Sequence, residues 1–193
     1  MIPVNFIYVG LLINIVLSAW YIKSIIWGNT KPNLVSWFIW SFAPLTGFFL
    51  QLKAGAGLAA SGIFIGGIFP LATLIICLFR KNSYWKISAF DIFCGSLSVI
   101  ALILYVVTKN VGLSIIFAIL SDALAYIPTL SKSWKFPETE SASTYAGGII
   151  NNIFALLIIK NWSFAIYSFP AYIVLINIVT VALIHRKKIF KTI

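Results

Sequence analysis

This chain carries almost no charge of one sign. Only 4 of its 193 residues are acidic, against 14 that are basic, and a single residue is a histidine. Charged residues make up 9% of the whole, far below the roughly 25% of a soluble domain, which excludes an ordinary solvated surface. Cysteine is as scarce. Cys77 and Cys94 form no CxxC pair and have no ligand cluster beside them, so neither a disulfide framework nor a zinc site is expected, and both read as packing residues. Catalytic signatures are missing too: there is no HExxH, no GxSxG and no close pair of carboxylates within an apolar run. No enzyme chemistry, metal or cofactor is expected.

Apolar residues fill the space. They make up 61% of the chain, and the mean hydropathy is +1.03. A membrane span needs about 20 predominantly apolar residues, and seven such runs occur, at 3–22, 33–52, 57–79, 87–107, 111–130, 142–159 and 163–184. None alternates apolar and polar residues as a transmembrane β-strand would. The sequence predicts an all-α membrane protein of seven transmembrane helices. Its first run lacks a basic n-region and is too long for a cleaved signal, so it is expected to persist as the first span.

The net charge of +10 does not gather on one face, which removes nucleic acid as an expected partner. The basic residues sit at span ends. Lys23, Lys31, Arg80, Lys81, Lys86, Lys132, Lys135, Arg186, Lys187, Lys188 and Lys191 fall on alternate connections and the tail, whereas the other connections hold Lys53, Lys109 and Lys160 alone. This asymmetry places the N-terminus outside and the C-terminus in the cytoplasm of a plasma or inner membrane. "NWS" at 161–163 matches a glycosylation acceptor in a connection too short for its use.

The chain also repeats itself. "WYIKS" at 20–24 and "AYIPT" at 125–129 each end a span before a basic connection, and the same offset carries Pro32 to Pro137 and Ser36 to Ser141. "IFPLATLIICLFRK" at 68–81 and "SFPAYIVLINIV" at 168–179 then align Phe-Pro on Phe-Pro at a slightly shorter offset, the difference falling in the longer connection "KAGAGLAAS". Two three-helix units remain, over 1–80 and 111–185, joined by a linker span within 81–110 and followed by a basic tail at 186–193. An even number of crossings separates their starts, so the units are parallel repeats.

Three helices, a linker helix and three more, with the N-terminus outside, resembles the SWEET sugar carriers and the wider PQ-loop superfamily over nearly the whole chain. The superfamily motif is Pro-Gln near the end of the first helix of each unit. Here the second unit has Pro128, Thr129 and Lys132, and the first has Lys23 and Ser24, so both glutamines are absent. The resemblance implies a carrier of a small polar solute such as a sugar, working by alternating access between the units. A similar layout occurs in nicotinamide riboside carriers, which makes a vitamin precursor an alternative solute. A non-transporting membrane scaffold or accessory subunit, and self-association, stay open. A scaffold would show polar stripes packed on one another without a central cavity, and Asp122 tied to a fixed donor.

Small and polar residues spaced three or four apart mark helix faces turned from lipid. Asn14, Asn177 and the adjacent pair Asn151 and Asn152 are candidates for solute contact; neighbours point about 100° apart, so at most one of the pair is expected to face a cavity while the other binds a neighbour, with Asn152 slightly favoured. The resemblance implies that Asn177 keeps one half of a sugar-contacting asparagine pair, with Cys77 standing at the other half. Asn177 also suits interhelical glue. Trp37 and Trp40, almost one turn apart, suit a stacking wall, although Trp37 lies near enough to a span end to serve as an interfacial anchor. Pro128 and Pro44 are hinge candidates, since a proline removes one helical hydrogen bond, and Pro70 and Pro170 share that property. A carboxylate in hydrocarbon persists when paired, hydrated or protonated. Asp122 is therefore the candidate for proton coupling, whereas Asp91 is expected to pair with Lys86 at the interface. Glu138 and Glu140 read as loop acids ahead of the sixth helix, with Thr139, Ser141 and Ser143 as cap residues.

Overall fold

The computed structural model describes residue 3 and residues 5–53, 61–80, 84–160 and 162–189, with the backbone alone at 46–48, 50–53, 61–63, 65, 111 and 187–189. Most of "KAGAGLAAS", the predicted start of the third span at 57, Lys81, Asn161 of "NWS" and residues 190–193 of the tail lie outside the described residues. Seven α-helices run in chain order: α1 (Phe6–Ile26), α2 (Leu34–Lys53), α3 (Ser61–Phe79), α4 (Ala89–Val107), α5 (Val111–Lys135), α6 (Ser143–Leu157) and α7 (Phe164–Ile189), with a 3-10 turn at Pro137–Thr139. No strand occurs among the described residues.

Local chemistry sets several of the ends. Ser88 opens α4: its hydroxyl accepts the Asp91 N–H, and the Asp91 carboxylate accepts the Ser88 N–H at 2.7 Å, a closed capping box. The Asn110 side chain accepts the Leu113 N–H and opens α5. α1 ends where Gly28 takes φ +80°, so that the N–H groups of Gly28 and Asn29 turn back onto the carbonyls of Ile25 and Ser24.

Two boundaries differ from the sequence expectation for physical reasons. α5 continues to Lys135, past the expected end at 130, because the polar residues that lower its hydropathy there are engaged inside the fold. α6 is a 15-residue helix, shorter than the about 20 residues of a full crossing. Four helices, α1, α4, α5 and α7, are long and apolar enough to cross a membrane, and α2 and α3 carry apolar stretches at Leu34–Leu45 and Gly66–Phe79. The protein is therefore a helical membrane protein.

Its side-chain distribution fits hydrocarbon surroundings. α4 turns Asp91, Cys94, Gly95, Ser98 and Ala101 inward and leaves Phe90, Ile92, Phe93, Ile100 and Ile103 exposed. Lipid tails solvate such a face, whereas water does not. α1 packs along α6 and touches α3; α2 packs on α3, α5 and α4; α7 packs on α5 and α6; and α5 also packs on α4.

The α1–α6 seam is close because both helices present glycine. A Cβ at Gly147 would meet the Asn14 Oδ1 at 2.7 Å and its Cα at 3.1 Å, and a Cβ at Gly10 would meet the Asn151 Cα at 3.1 Å. Gly147→Val is expected to force the helices apart and cost about 1–3 kcal/mol by overpacking. Gly66→Ala, where nothing lies within 4 Å of the added carbon, serves as the neutral control. Thermal unfolding in detergent checks this, and equal melting temperatures for the two variants would refute it.

Candidate functional site

All helices except α4 contribute to one central cavity of about 330 Å³. The end of the bundle carrying Lys23, Lys31, Lys132, Lys135 and Arg186 is called the basic end below. On that side the cavity has an aromatic floor. Trp37 and Trp40 come from one face of α2, Tyr126 from α5 and Tyr145 from α6; ring centroids lie 5.4 Å apart for Trp37 and Trp40, and 4.4 Å apart for Trp40 and Tyr126. Tyr21 of α1 stacks beneath, 4.9 Å from Trp37.

Trp37 is 3% exposed, which overturns its reading as an interfacial anchor: the short α1–α2 connection tucks the start of α2 against Tyr21. The indole nitrogens of Trp37 and Trp40 are buried without a hydrogen-bond partner.

The four asparagines named from sequence all line this cavity, in different states. Asn14 accepts from Ser18, whose hydroxyl also meets that of Thr144 across the α1–α6 seam at 3.2 Å. The Oδ1 of Asn177 accepts from the Tyr126 hydroxyl at 2.8 Å, while its amide nitrogen rests over Gly148, 2.6 Å from where a Cβ would stand. Asn152 donates to the Gly148 carbonyl of its own helix at 2.8 Å. Asn151 faces the cavity as well, and its Oδ1 is the buried atom with no partner. Glycine at 147 and 148 lets α1 and α7 approach so closely that both neighbours reach the interior.

Asp122 also lines the cavity, and its Oδ2 accepts from the Tyr172 hydroxyl of α7 at 2.8 Å. Among the described residues, no lysine, arginine or histidine lines the cavity.

Pro44 and Pro70 border the cavity, whereas Pro128 is buried toward the basic end, facing a second hollow beside Trp85 and Asp91. None of the helices stops at its proline. Near Pro128 the Thr129 hydroxyl donates to Ser36, which donates to the Ala125 carbonyl at 2.6 Å, so a hydroxyl of α2 serves the helical backbone that a proline disturbs. Asp91 does not pair with Lys86. It caps α4 and accepts from Asn33 at 3.0 Å, which satisfies the carboxylate in place.

Sequence reasoning missed a buried ion pair. Glu140 is buried, not a free loop acid: its Oε2 pairs with the Lys132 ammonium, with side chains 0% and 1% exposed, and its Oε1 accepts from the Tyr21 hydroxyl. Lys132 also donates to the carbonyls of Lys31 and Thr139. One ion pair thus ties α1, the α1–α2 connection, α5 and the α5–α6 connection together below the aromatic floor. A signal existed. Ser121, Ala125, Thr129 and Lys132 follow one helical stripe, so a lysine on it points inward and needs one of only 4 acids.

Fold and site together define a helical membrane protein with a central cavity of mixed aromatic, apolar and polar lining, closed at its basic end by aromatic rings and a buried ion pair. Comparison with protein-family models, with curated proteins and with solved structures finds no match to this chain.

Proposed function

We propose that this chain is a membrane carrier of a small polar solute, a seven-span protein of the SWEET-like 3+1+3 layout that binds its solute in the central cavity between two three-helix units. One observation carries the proposal: a cavity of about 330 Å³ brings Asn14, Asn151, Asn152, Asn177 and Asp122 to one lining, beside the aromatic rings of Trp37, Trp40, Tyr126 and Tyr145. The volume sits at the lower end of small-molecule sites, roughly 300–1,000 Å³.

The packing supports the repeat. Exchanging α1 with α5, α2 with α6 and α3 with α7 turns the α1–α6 seam into the α5–α2 seam, α2–α3 into α6–α7, and α1–α3 into α5–α7, all of which occur. The linker α4 stays outside this exchange and outside the cavity. With the basic end in the cytoplasm, the aromatic floor and the Lys132–Glu140 pair form the inner closure, and Pro44 and Pro128 are hinges beside it. Asp122 is the site of proton coupling, with Tyr172 of α7 and Tyr126 of its own helix as its titratable neighbours.

The test is uptake into proteoliposomes of labelled sugars, nucleosides and amino acids, with and without a pH gradient. The expected result is saturable uptake of one class, with Asp122→Asn losing the response to the gradient while retaining exchange. A second reading, a scaffold without a transport cycle, is favoured by the Asp122–Tyr172 hydrogen bond, a fixed donor of the kind a scaffold would show. Folded protein that moves no member of the panel, and whose Asp122→Asn variant loses only thermal stability, would replace the carrier by the scaffold.

A further inference from the structure

We propose that the central cavity selects a small organic cation, with Asp122 as counter-charge and the aromatic floor as the wall beside it. This deepens the carrier reading and rests on the same cavity.

Charge comes first. Among the described residues, Asp122 is the one formally charged residue lining the cavity. The nearest buried cation, Lys132, lies beyond the floor and is consumed by Glu140 and two backbone carbonyls. An anionic solute would therefore meet a carboxylate and no partner, while a cationic one would leave the dry interior electrically neutral. Tyr172 donates to Oδ2 alone, and no further protein donor reaches Asp122 among the described residues, so Oδ1 is the side on which a cation is balanced.

The rings point the same way. Trp37, Trp40, Tyr126 and Tyr145 pack on one another, Trp37 and Trp40 edge-to-face at 78°, and together line the basic side of the cavity that Asp122 also lines. An aromatic wall close to a carboxylate is a surface that attracts organic ammonium groups. Elsewhere the protein supplies its own cations to its tryptophans: Lys23 lies over Trp20 and Trp27, Lys132 over Trp85, and Arg186 over Trp134. No such pair involves the floor rings among the described residues.

A proton and a cation cannot occupy the same carboxylate together, so this selectivity is compatible with proton exchange at Asp122.

Choline and its neutral carbon isostere 3,3-dimethylbutan-1-ol separate charge from shape, and 3,3-dimethylbutanoate supplies the anion. Each is titrated against the full chain in nanodiscs, read by tryptophan fluorescence, with Trp20, Trp27, Trp85, Trp134 and Trp162 replaced by Phe so that Trp37 and Trp40 report. The expected result is choline binding at least tenfold tighter than the isostere, no binding of the anion, and loss of the preference in Asp122→Asn while that variant stays folded and binds both weakly. Equal response to choline and isostere, no response to choline, or a preference that survives Asp122→Asn overturns the proposal. The carrier reading fails separately: choline that binds but shows no counterflow in proteoliposomes removes transport and keeps the site. Uptake of a neutral solute without choline binding removes the cation and keeps transport.

Discussion

Glu140→Gln is expected to open the basic end of the bundle. The substitution keeps side-chain length and an acceptor for Tyr21 but leaves the Lys132 ammonium buried without its counter-charge. Removing one partner of a buried ion pair costs about 3–5 kcal/mol, because the surviving charge must be hydrated or expelled. Here the cheapest relief is local. Lys132 is also bonded to the carbonyls of Lys31 and Thr139, so its departure toward water releases the α1–α2 and α5–α6 connections together. The expected effect is a conformational shift more than a loss of fold.

Cys77 is the natural reporter. It is 0% exposed and belongs to the same core cluster as Tyr21, Trp37 and Tyr145. With Cys94 replaced by Ala, an impermeant maleimide applied from the basic side is expected to label Cys77 about a hundredfold faster in Glu140→Gln, the factor that roughly 3 kcal/mol implies. Replacing both partners, as Lys132→Met with Glu140→Met, removes the uncompensated charge and is expected to return labelling to near its original rate. Size-exclusion elution separates opening from unfolding. Unchanged labelling in folded Glu140→Gln, or a double variant that labels as fast as the single one, would sink the closure.

The difference between what the sequence disclosed and what it concealed follows from which residues bond to distant partners. Helix number and approximate extent were legible because hydrocarbon imposes an uninterrupted apolar run, and the inward stripe of α4, from Asp91 through Ser98 to Ala101, follows helical spacing directly. Asn14, Trp40, Asp122 and Asn177 were legible as interior for the same reason. The states of these groups were not. Whether Asn177 is free or bonded depends on Tyr126, 51 residues earlier, and the burial of Trp37 depends on Tyr21 across a tight turn. The Lys132–Glu140 pair was hidden because both residues adjoin a connection, where hydropathy reads charge as solvated. Asp91 misled in the opposite sense: Lys86 is near it in sequence, but the Ser88 cap and Asn33 satisfy it in space.

Asn177→Ala, with Tyr126→Phe and Gly148→Ala beside it, separates a solute ligand from interhelical glue. Asn177 is 3% exposed and accepts the Tyr126 hydroxyl through Oδ1, with its amide nitrogen held over Gly148 at the cavity wall. Asn177→Ala removes both the amide and the partner of the Tyr126 hydroxyl, and loss of a buried hydrogen-bonding group costs about 1–3 kcal/mol. In a carrier this appears as about a tenfold to hundredfold fall in uptake efficiency for the solute found in the panel. Tyr126→Phe removes only the donor, so the amide keeps its place beside Gly148 and a fall of about tenfold is expected. Gly148→Ala leaves every polar group intact but puts a carbon 2.6 Å from the amide nitrogen, so the amide must turn away. If the amide binds solute, Gly148→Ala reproduces most of the uptake loss of Asn177→Ala. In the double variant Tyr126→Phe with Asn177→Ala the losses should be non-additive, since the two side chains share one bond. If the amide is glue, the singles lower the melting temperature together, and uptake per folded molecule stays constant across the series. That constancy would remove Asn177 from the site.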